Sequence, residues 1–360
     1  MTARRWRAVA AVLSGLLAAS LAGCGTDGGA QHSGLTVGLL LPGRALPRWE
    51  HSDKPLIERR VKELCAECSV TYANAENDVS SQRHQMNSLI TNGAAVIILD
   101  AVDAKALRSS VRAAHRAGVP VVAYDRLVEG PISGFVSFDG ARVGRLQGEA
   151  LLKAMGRKAD GGRIVMMNGD PASPNARWYE GGALSVLKGR VRIGKSYDTV
   201  GWRSENAHQN MAAAISALGP HRIDGVLAAN DTIAAGVISA LKSAGVSPLP
   251  PVTGQDADLE AVRRIVKGEQ HMTVYKPFRQ QADAASVMAV ALARGRGLHG
   301  LVTTTVDSPT TDDIPAVLLS PVAVTVGTIR QTLVRDGVYT IEQICVAKLR
   351  PACDRAGLTR

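Results

Sequence analysis

Short apolar runs alternate with longer helical patterns from residue 35 onward, and this alternation constrains the possible fold more than any other feature of the sequence. Each run is apolar throughout, which is typical of parallel strands that are buried on both faces. We predict two series of strands, first at 35–41, 69–73, 94–99, 119–124 and 134–138, then at 163–167, 192–199, 225–229, 251–254 and 271–275. Helices are predicted at 57–64, 82–91, 104–117, 141–155, 207–218, 232–244, 258–267 and 279–293. Two such series indicate an α/β fold with two doubly wound parallel-sheet lobes.

The chain of 360 residues is too long for one average domain, which agrees with two lobes. We expect the helix at 279–293 to return to the first lobe, and the segment at 317–325 to cross again to the second. The predicted lobes are residues 35–139 with 278–315, and residues 140–277 with 316–360. Crossings near Asp139, Lys276 and Pro315 would form a hinge.

The amino terminus has the pattern of an export signal. Arg4, Arg5 and Arg7 precede an uncharged apolar stretch at 8–22, which is short for a bilayer core of about 30 Å. The motif Leu21-Ala22-Gly23-Cys24 is typical of a lipoprotein cleavage site, so we predict a signal peptide at 1–23 and a lipidated Cys24. An ordinary secretory signal is the alternative. Residues 24–34 form a polar, Gly-rich tether, and the protein is expected on the extracellular face of the cytoplasmic membrane.

The formal charge is +10, of which three charges belong to the signal arginines. The remaining Lys and Arg residues are scattered in ones and twos among acids, which indicates a solvated surface facing an anionic envelope. A nucleic-acid site would need clustered bases with interleaved aromatics. We therefore expect no nucleic-acid partner.

Four cysteines follow Cys24, in two local pairs: Cys65 with Cys68, and Cys345 with Cys353. In an exported chain an even number favours structural disulfides, although spacing alone leaves their connectivity open. The CxxC pair could instead be redox-active or half of a zinc site. The redox motif needs its first thiol at a helix start, whereas Cys65 ends a predicted helix. No other His or Cys pair has zinc-ligand spacing, so we expect no metal and no cofactor.

Polar residues follow the strands of both series, at the edge where open parallel sheets bind ligands. Sugar hydroxyls need fixed donors and acceptors of this kind in a site that excludes water. Aromatic residues are only 4% of the chain, yet Trp49 and Trp202 fall in loops expected to open on the cleft, where flat rings can pack against the C–H face of a sugar. The strand-end residues are Arg48, Asp125, Arg126, Asn168, Asp170, Asn175, Asn230, Asp231, Gln255, Asp256 and Lys276.

Each of these features also has a purely structural interpretation. Asn230, Asp231 and Asp258 could cap the helices that they precede. Asp125 and Arg126 could form a surface ion pair, worth under about 1 kcal/mol. Trp202 could belong to the core, although the residues around it offer few apolar neighbours.

Several motifs together resemble the D-xylose-binding proteins of ABC importers, in the type I periplasmic-binding-protein group close to multiple-sugar binders. The likeness covers about residues 35–340, and it departs from the family pattern in the first loop, at 42–47. The motifs are Leu39-Leu40-Leu41-Pro42 with Arg48-Trp49, Ala123-Tyr124-Asp125-Arg126, Ser137-Phe138-Asp139, Ala229-Asn230-Asp231, Gly254-Gln255-Asp256-Ala257-Asp258 and Met272-Thr273-Val274-Tyr275-Lys276-Pro277.

The resemblance implies a role for each matched residue. Trp49 and Trp202 would sandwich the sugar ring. Asp125 would belong to the ligand-binding set, either behind the residues that contact the sugar or at the hinge. Asp139 would likewise lie at the hinge. Hydrogen bonds to the sugar would come from Arg48, Arg126, Asn175, Asn230, Asp256 and Lys276.

The function implied by the resemblance is capture of a monosaccharide, D-xylose above all, by hinge closure of a monomer that delivers it to a membrane permease. A secreted sugar hydrolase would need paired acids flanking the scissile bond, and no such pair or metal set is found, so we expect no enzyme. A transcription regulator would need an amino-terminal helix-turn-helix, where a signal peptide stands instead. A binding protein that reports sugar to a membrane receptor or kinase stays an open alternative.

Overall fold

Twelve strands in three sheets form the frame of residues 34–359, which are the residues that the computed structural model describes. The strands are β1 (Thr36–Leu41), β2 (Ser69–Asn74), β3 (Val96–Leu99), β4 (Val121–Tyr124), β5 (Gly134–Phe138), β6 (Arg163–Met167), β7 (Arg192–Tyr197), β8 (Gly225–Ala228), β9 (Met272–Tyr275), β10 (Thr304–Ser308), β11 (Thr311–Leu319) and β12 (Val322–Thr325). The helices are α1 (Lys54–Leu64), α2 (Val79–Thr91), α3 (Arg108–Arg116), α4 (Gly140–Met155), α5 (Pro174–Leu187), α6 (Ser204–Leu218), α7 (Asp231–Ser243), α8 (Leu259–Lys267), α9 (Phe278–Ala293), α10 (Ile341–Ile344) and α11 (Arg350–Arg355).

The predicted signal peptide, the lipidation site Cys24 and nearly all of the tether lie outside the described residues. Within residues 34–359, no helix combines the length and the apolar character needed to cross a bilayer.

The first sheet has seven strands in the order β10-β11-β5-β4-β3-β1-β2. Its central strands β3, β4 and β5 are buried at every position, which explains their uniformly apolar sequences. Strands β2 to β5 run parallel around β1, and β11 adds to β5 in parallel with Ala316 opposite Phe135. Helix α9 packs across this sheet beside α1, so the chain returns here after β9.

The second half of the molecule is built on a parallel sheet in the order β7-β6-β8 and on an antiparallel pair of β9 with β12. Backbone hydrogen bonds through residues 251–254 connect the two: Val226 N donates to Pro251 O at 2.9 Å, and His271 N donates to Val252 O at 2.9 Å. The predicted strand at 251–254 is therefore a single bridge, between Val226 and Val252. The antiparallel pairs of β9 with β12 and β10 with β11 were not part of the predicted parallel pattern.

The third crossing of the chain lies later than the sequence pattern indicates. Strand β11 stays in the first sheet as far as Leu319, which is opposite Phe138 and accepts a hydrogen bond from Asp139 N at 3.0 Å. Strand β12 then begins at Val322, beside β9. The prediction of a crossing near Pro315, with 316 onward in the second lobe, is wrong here, because β11 continues through the proline instead of ending at it.

Helices α4 and α5 pack closely because glycines remove the side chains between them. A Cβ atom on Gly144 would lie 1.9 Å from the carbonyl oxygen of Tyr179, and one on Gly182 would lie 2.1 Å from that of Ala141. Helix α4 starts directly at the first crossing, after Asp139, whose Oδ1 accepts a hydrogen bond from Arg142 N at 2.8 Å. The glycines thus hold α5, which the sequence analysis missed, against the helix that follows the hinge.

The two predicted disulfides are confirmed, between Cys65 and Cys68 and between Cys345 and Cys353. Cys65 and Cys68 lie with Glu67 in the one group of metal-ligating residue types found close together among the described residues. Their sulfurs are bonded to each other, which contradicts the zinc alternative. Cys353 is fully buried, so its disulfide ties the carboxyl-terminal segment into the apolar cluster around α8.

Candidate functional site

A cavity of about 250 Å³ lies between the carboxyl ends of the strands of the two sheets. All nine residues predicted to bind ligand line it, together with three that were not in that set: Leu46, Tyr179 and Gln255. The predicted residues are Arg48, Trp49, Asp125, Arg126, Asn175, Trp202, Asn230, Asp256 and Lys276. A larger cavity of about 1410 Å³ shares Arg48 and Asp256 with it and extends along α8.

Several wall residues are placed by the end of a strand or the start of a helix. Arg126 follows β4, Lys276 follows β9, and Asn175 is the second residue of α5. Asp125 has φ of 60° and Asp256 has φ of 96°, conformations that L-residues rarely adopt. These two turns aim carboxylates back across the strand ends, and such strained backbone is typical of functional sites.

Arg48 is the centre of the wall on the side of the first sheet. Its Nε and Nη2 donate to the two carboxylate oxygens of Asp53 at 2.9 and 2.8 Å, and Nη2 also donates to Gln281 Oε1 at 2.9 Å. Tyr124 donates a further hydrogen bond to Asp53. The guanidinium lies over the rings of Trp49 and Phe278, 4.1 and 4.2 Å from their centroids. Arg48 is therefore held rigidly before any ligand is bound.

Two ionic contacts and one hydrogen bond cross the cleft from one half to the other: Lys276 with Asp125, Arg48 with Asp256, and Asn175 with Asp125. Lys276 Nζ lies 2.9 Å from Asp256 Oδ1 and 3.7 Å from Asp125 Oδ1. Arg48 Nη1 lies 3.3 Å from Asp125 Oδ2 and 3.5 Å from Asp256 Oδ1. Asn175 Nδ2 donates to Asp125 Oδ1 at 3.3 Å. Asp125 follows β4 of the first sheet, so its contacts with Lys276 and with Asn175 of α5 join its half to the other.

The opposite charges of this network stabilise each other's ionised forms. Burial opposes ionisation of Asp125, but Lys276, Arg48 and Arg126 outweigh it and lower the pKa of the carboxyl. Burial likewise opposes charge on Lys276, yet the carboxylates of Asp125 and Asp256 raise its pKa above the ordinary value. The same carboxylates and Asp53 raise the pKa of Arg48 against its burial. Both bases and Asp125 thus stay charged at neutral pH.

Arg126 makes its contacts behind the cavity. Its Nη1 donates to the carbonyl oxygen of Ala101 at 3.1 Å, and its Nε lies 3.4 Å from Asp100 Oδ1. Asp100 is fully buried, and burial raises its pKa well above the usual range despite the nearby guanidinium. The surface ion-pair alternative for Asp125 with Arg126 is wrong, because both residues are at most 4% exposed and each has other partners.

The aromatic side chains form two sides of the cavity. Trp202 packs edge-on against Tyr179, with 6.4 Å between ring centroids. Its six-membered ring occupies the space where Gly169 has no side chain, since a Cβ there would lie 1.9 Å from the ring. Trp49 offers the cavity one face, because Arg48 covers the other. Trp202 is only 5% exposed, so it is part of the core, as the structural alternative expects, and it also lines the cavity.

Five polar atoms of uncharged wall residues are buried and have no hydrogen-bond partner among residues 34–359. Three are donors and two are acceptors, and a buried polar group without a partner costs about 1–3 kcal/mol. A ligand with several hydroxyl groups, each both donor and acceptor, would satisfy this mixed set. The atoms are Trp49 Nε1, Trp202 Nε1, Asn230 Nδ2, Asn175 Oδ1 and Gln255 Oε1.

Some strand-end residues serve the structure instead of the cavity. Asn168 donates to Glu180 and Ser196, and Asp170 accepts from Ala172 N at 2.8 Å and from Gly201 N. The capping alternative holds in part for Asn230, whose Oδ1 caps α7 by accepting from Ile233 N while its Nδ2 carries no bond.

Two wall residues, Tyr179 and Leu46, were missed, and a third, Gln255, was recognised at a strand end but left out of the ligand-binding set. Tyr179 lies one turn after Asn175 on α5, so predicting that helix would have found it. Gln255 precedes Asp256 at the same strand end, a signal that the sequence shows. Leu46 lies in the first loop, and its distance from neighbouring motifs does not identify it as a wall residue.

Comparisons with known proteins point the same way as the geometry. A sequence profile for the periplasmic binding protein domain matches residues 37–297. The D-xylose-binding periplasmic protein of Escherichia coli K12 is 33% identical over 309 residues, which covers 84% of this chain and 90% of that protein. The multiple sugar-binding periplasmic receptor ChvE of Rhizobium radiobacter is 32% identical over 330 residues, covering 86% and 92%. An ABC transporter solute binding protein from Clostridium phytofermentans, solved with bound β-D-glucose, has a TM-score of 0.79 at 29% identity and covers 86% of this chain and 99% of its own.

Proposed function

Because the chain belongs to the periplasmic binding protein family and has its type I fold, we propose that it is the sugar-binding component of an ABC importer. The ligand is one monosaccharide, and D-xylose is the first candidate. The single observation that carries this proposal is the set of five buried, unpartnered donors and acceptors around one small cavity.

The lining of the cavity supports a small polar ligand, because polar and aromatic side chains from both halves surround it. The charges on its walls are balanced, since Arg48, Arg126 and Lys276 each lie beside a carboxylate. This balance favours a neutral ligand over a sugar acid or a sugar phosphate. The choice of xylose over other neutral sugars rests on the likeness to the D-xylose-binding periplasmic protein of Escherichia coli.

We further propose that binding is coupled to hinge closure. The cross-cleft contacts of Lys276, Arg48 and Asn175 exist only when the two halves are together, and a ligand that also touches both halves would shift the population towards the closed form. A membrane permease would then select the closed, loaded protein. Lipidation of Cys24 would keep the protein close to that permease.

Isothermal titration calorimetry of the exported chain carrying Cys24→Ser tests the ligand. The panel is D-xylose, D-glucose, L-arabinose, myo-inositol and the disaccharide xylobiose. We expect one site per chain for at least one monosaccharide, with the sugar recovered unchanged afterwards. Tighter binding of xylobiose would contradict the single-ring site, and no heat with any sugar would refute the proposed function.

A variant tests whether the unpartnered atoms are the binding groups. Asn175→Ala removes an unpartnered acceptor and the donor to Asp125, so sugar affinity should fall by about 10- to 100-fold, equivalent to about 1–3 kcal/mol. Asn92→Ala is the matched control, since Asn92 is exposed at the end of α2 in the first half. Equal effects of the two changes would remove Asn175 from the site.

The anchor and the closure have separate readouts. Cys24→Ser should release the protein from the membrane fraction into the medium, and retention of the variant would contradict the lipid anchor. Small-angle X-ray scattering should show a smaller radius of gyration on addition of sugar, and an unchanged radius would contradict hinge closure.

A further inference from the structure

Formal charge is unevenly divided between the two halves of the molecule. Residues 34–139 with 278–320 contain 15 Lys and Arg against 16 Asp and Glu, a net charge of −1. Residues 140–277 with 321–360 contain 24 against 15, a net charge of +9. The positive charge of the protein therefore belongs almost entirely to the half that carries β6, β7 and β8.

Six bases of this half gather at the amino ends of β6 and β7. Arg163 and Arg192 are paired in register on these neighbouring strands. Gly161 N donates to the carbonyl oxygen of Arg190 at 2.7 Å, and Arg192 N donates to that of Gly162 at 2.8 Å, so the two turns that precede the strands are joined. We call this surface the basic end; it comprises Arg157, Lys158, Arg163, Lys188, Arg190 and Arg192, all exposed except the half-buried Arg163.

The fold itself leaves most of this charge uncompensated. Of the six bases, Lys158 alone forms a salt bridge within residues 34–359, at 2.9 Å to Asp224, and Asp160 is the other acid in these turns. Bases just after helix ends are favoured by the helix dipole, which accounts for Arg157, Lys158 and Lys188. It does not account for Arg163 beside Arg192, because like charges on neighbouring strands repel each other. Asp224 lies close to Arg163 and accepts a hydrogen bond from its backbone N at 2.9 Å, and Arg192 Nε donates to the carbonyl oxygen of Gly161 at 2.8 Å. These contacts offset part of the repulsion, and an anion bound between the two guanidinium groups would offset more of it.

The basic end faces away from the sugar cavity. Strand β6 has five residues and spans about 17 Å, with Arg163 at its amino end and the cavity beyond its carboxyl end. A permease that distinguishes a closed from an open binding protein must contact both halves around the cleft. The basic end lies at the opposite end of β6 from the cavity, so a partner there would leave the cleft free.

We propose that the basic end docks onto a polyanion that carries repeating phosphate groups. Arg supplies four of the six bases, and a guanidinium group binds phosphate oxygens through two parallel hydrogen bonds. A repeating phosphate chain matches a row of bases better than a single anion does. This docking is a function separate from sugar capture. It holds the protein in an anionic envelope while the cleft stays free to bind sugar.

Binding of inorganic polyphosphate to the exported chain carrying Cys24→Ser tests the proposal. We expect binding at about 150 mM salt, with an affinity that falls steeply as salt is raised, because each neutralised phosphate releases a counterion. A fourfold charge-neutralising variant should weaken this binding by about tenfold or more. The variant is Arg157→Gln, Lys188→Gln, Arg190→Gln and Arg192→Gln.

A second fourfold variant controls for net charge. It removes the same formal charge from exposed positions on α1, α2 and α3 of the other half, and it should retain the wild-type affinity for polyphosphate. Both variants should keep the wild-type melting temperature and sugar affinity, so that failure of sugar binding and failure of docking are read separately. The control variant is Arg59→Gln, Arg83→Gln, Arg112→Gln and Arg116→Gln.

Three results would overturn the proposal. Equal losses in the two variants would show that net charge is responsible and not the basic end. Tighter binding to phosphatidylglycerol vesicles than to polyphosphate would make the partner a membrane. Binding of polyglutamate as tight as that of polyphosphate would remove the preference for phosphate.

Discussion

Replacement of Lys276 by methionine should be among the most destabilising single changes in the cavity, even without sugar. Lys276 is 2% exposed, and its ammonium group lies between the carboxylates of Asp256 and Asp125. Methionine keeps an unbranched side chain of similar length but carries no charge. The change therefore leaves two buried carboxylates with one fewer cation.

The magnitude follows from the distances. At an effective dielectric constant of about 20, unit charges 2.9 Å apart attract by about 6 kcal/mol. Burial of the ammonium group offsets several kcal/mol of this attraction, and removal of one partner of a buried ion pair costs about 3–5 kcal/mol. We expect a loss of that size in the free energy of unfolding, measured by urea at pH 7.5 without ligand.

The loss should depend on pH with a defined sign. In the wild type, the lowered pKa of Asp125 contributes stability above the ordinary carboxyl value near pH 4, and this contribution is lost as the pH falls through the folded value. Without Lys276, Asp125 loses its strongest attractive partner and takes up a proton at higher pH. The difference between variant and wild type should therefore be smaller at pH 4.5 than at pH 7.5.

An exposed ion pair of similar length is the matched control. Lys242 Nζ lies 2.7 Å from Glu269 Oε1, but its side chain is 50% exposed, so Lys242→Met should cost under about 1 kcal/mol. If Lys276→Met costs no more than Lys242→Met, burial does not amplify the pair and the reasoning from the cavity charges is refuted.

Three other changes test the frame around the cavity. Gly144→Ala places a Cβ 1.9 Å from Tyr179 O, so urea unfolding should show a loss of about 1–3 kcal/mol and calorimetry a weaker sugar affinity; wild-type values would contradict the close helix contact. Burial raises the pKa of Asp231 to about 7, so wild-type stability should fall as pH rises from about 4 to about 7, and Asp231→Asn should remove that slope. Cys353→Ser opens the loop closed with Cys345 and should cost about 2–3 kcal/mol; an unchanged urea midpoint would show that this disulfide does not stabilise the fold.

Strands such as β3, β4 and β8 could be predicted because burial at every position leaves uniformly apolar sequences, whereas the edge strands β2 and β7 are exposed or half-buried and more polar. Strand β10 could not, since it is mostly exposed and its sequence shows no such run. Helix α5 was missed because its stability depends on a partner: Gly181 and Gly182 weaken a helix by propensity, and Gly182 is required where α4 passes. Tertiary packing decides that element, and periodicity within one segment does not report it.

The cavity could be predicted almost completely, because parallel topology brings the carboxyl ends of separate strands to one place. Searching only the residues that follow strands does not find the residues that hold the cavity side chains in place from behind. Asp53 and Gln281 hold Arg48 from a helical turn and from α9, more than two hundred residues apart in sequence. Neither follows a strand, so their part in the site depends on how helices pack over the sheet.

The same topological rule, applied to the opposite ends of the strands, would have revealed the basic end. Arg163 and Arg192 are 29 positions apart, and they look scattered when the sequence is read in order. In a parallel sheet, however, the first residues of neighbouring strands meet at one edge just as the last residues do. The first sheet begins with uncharged residues such as Thr36, Ser69 and Val96, so its amino ends carry no such row. Spacing along the chain is therefore the wrong measure of charge clustering in this fold, because the sheet gathers whatever stands at equivalent ends of its strands.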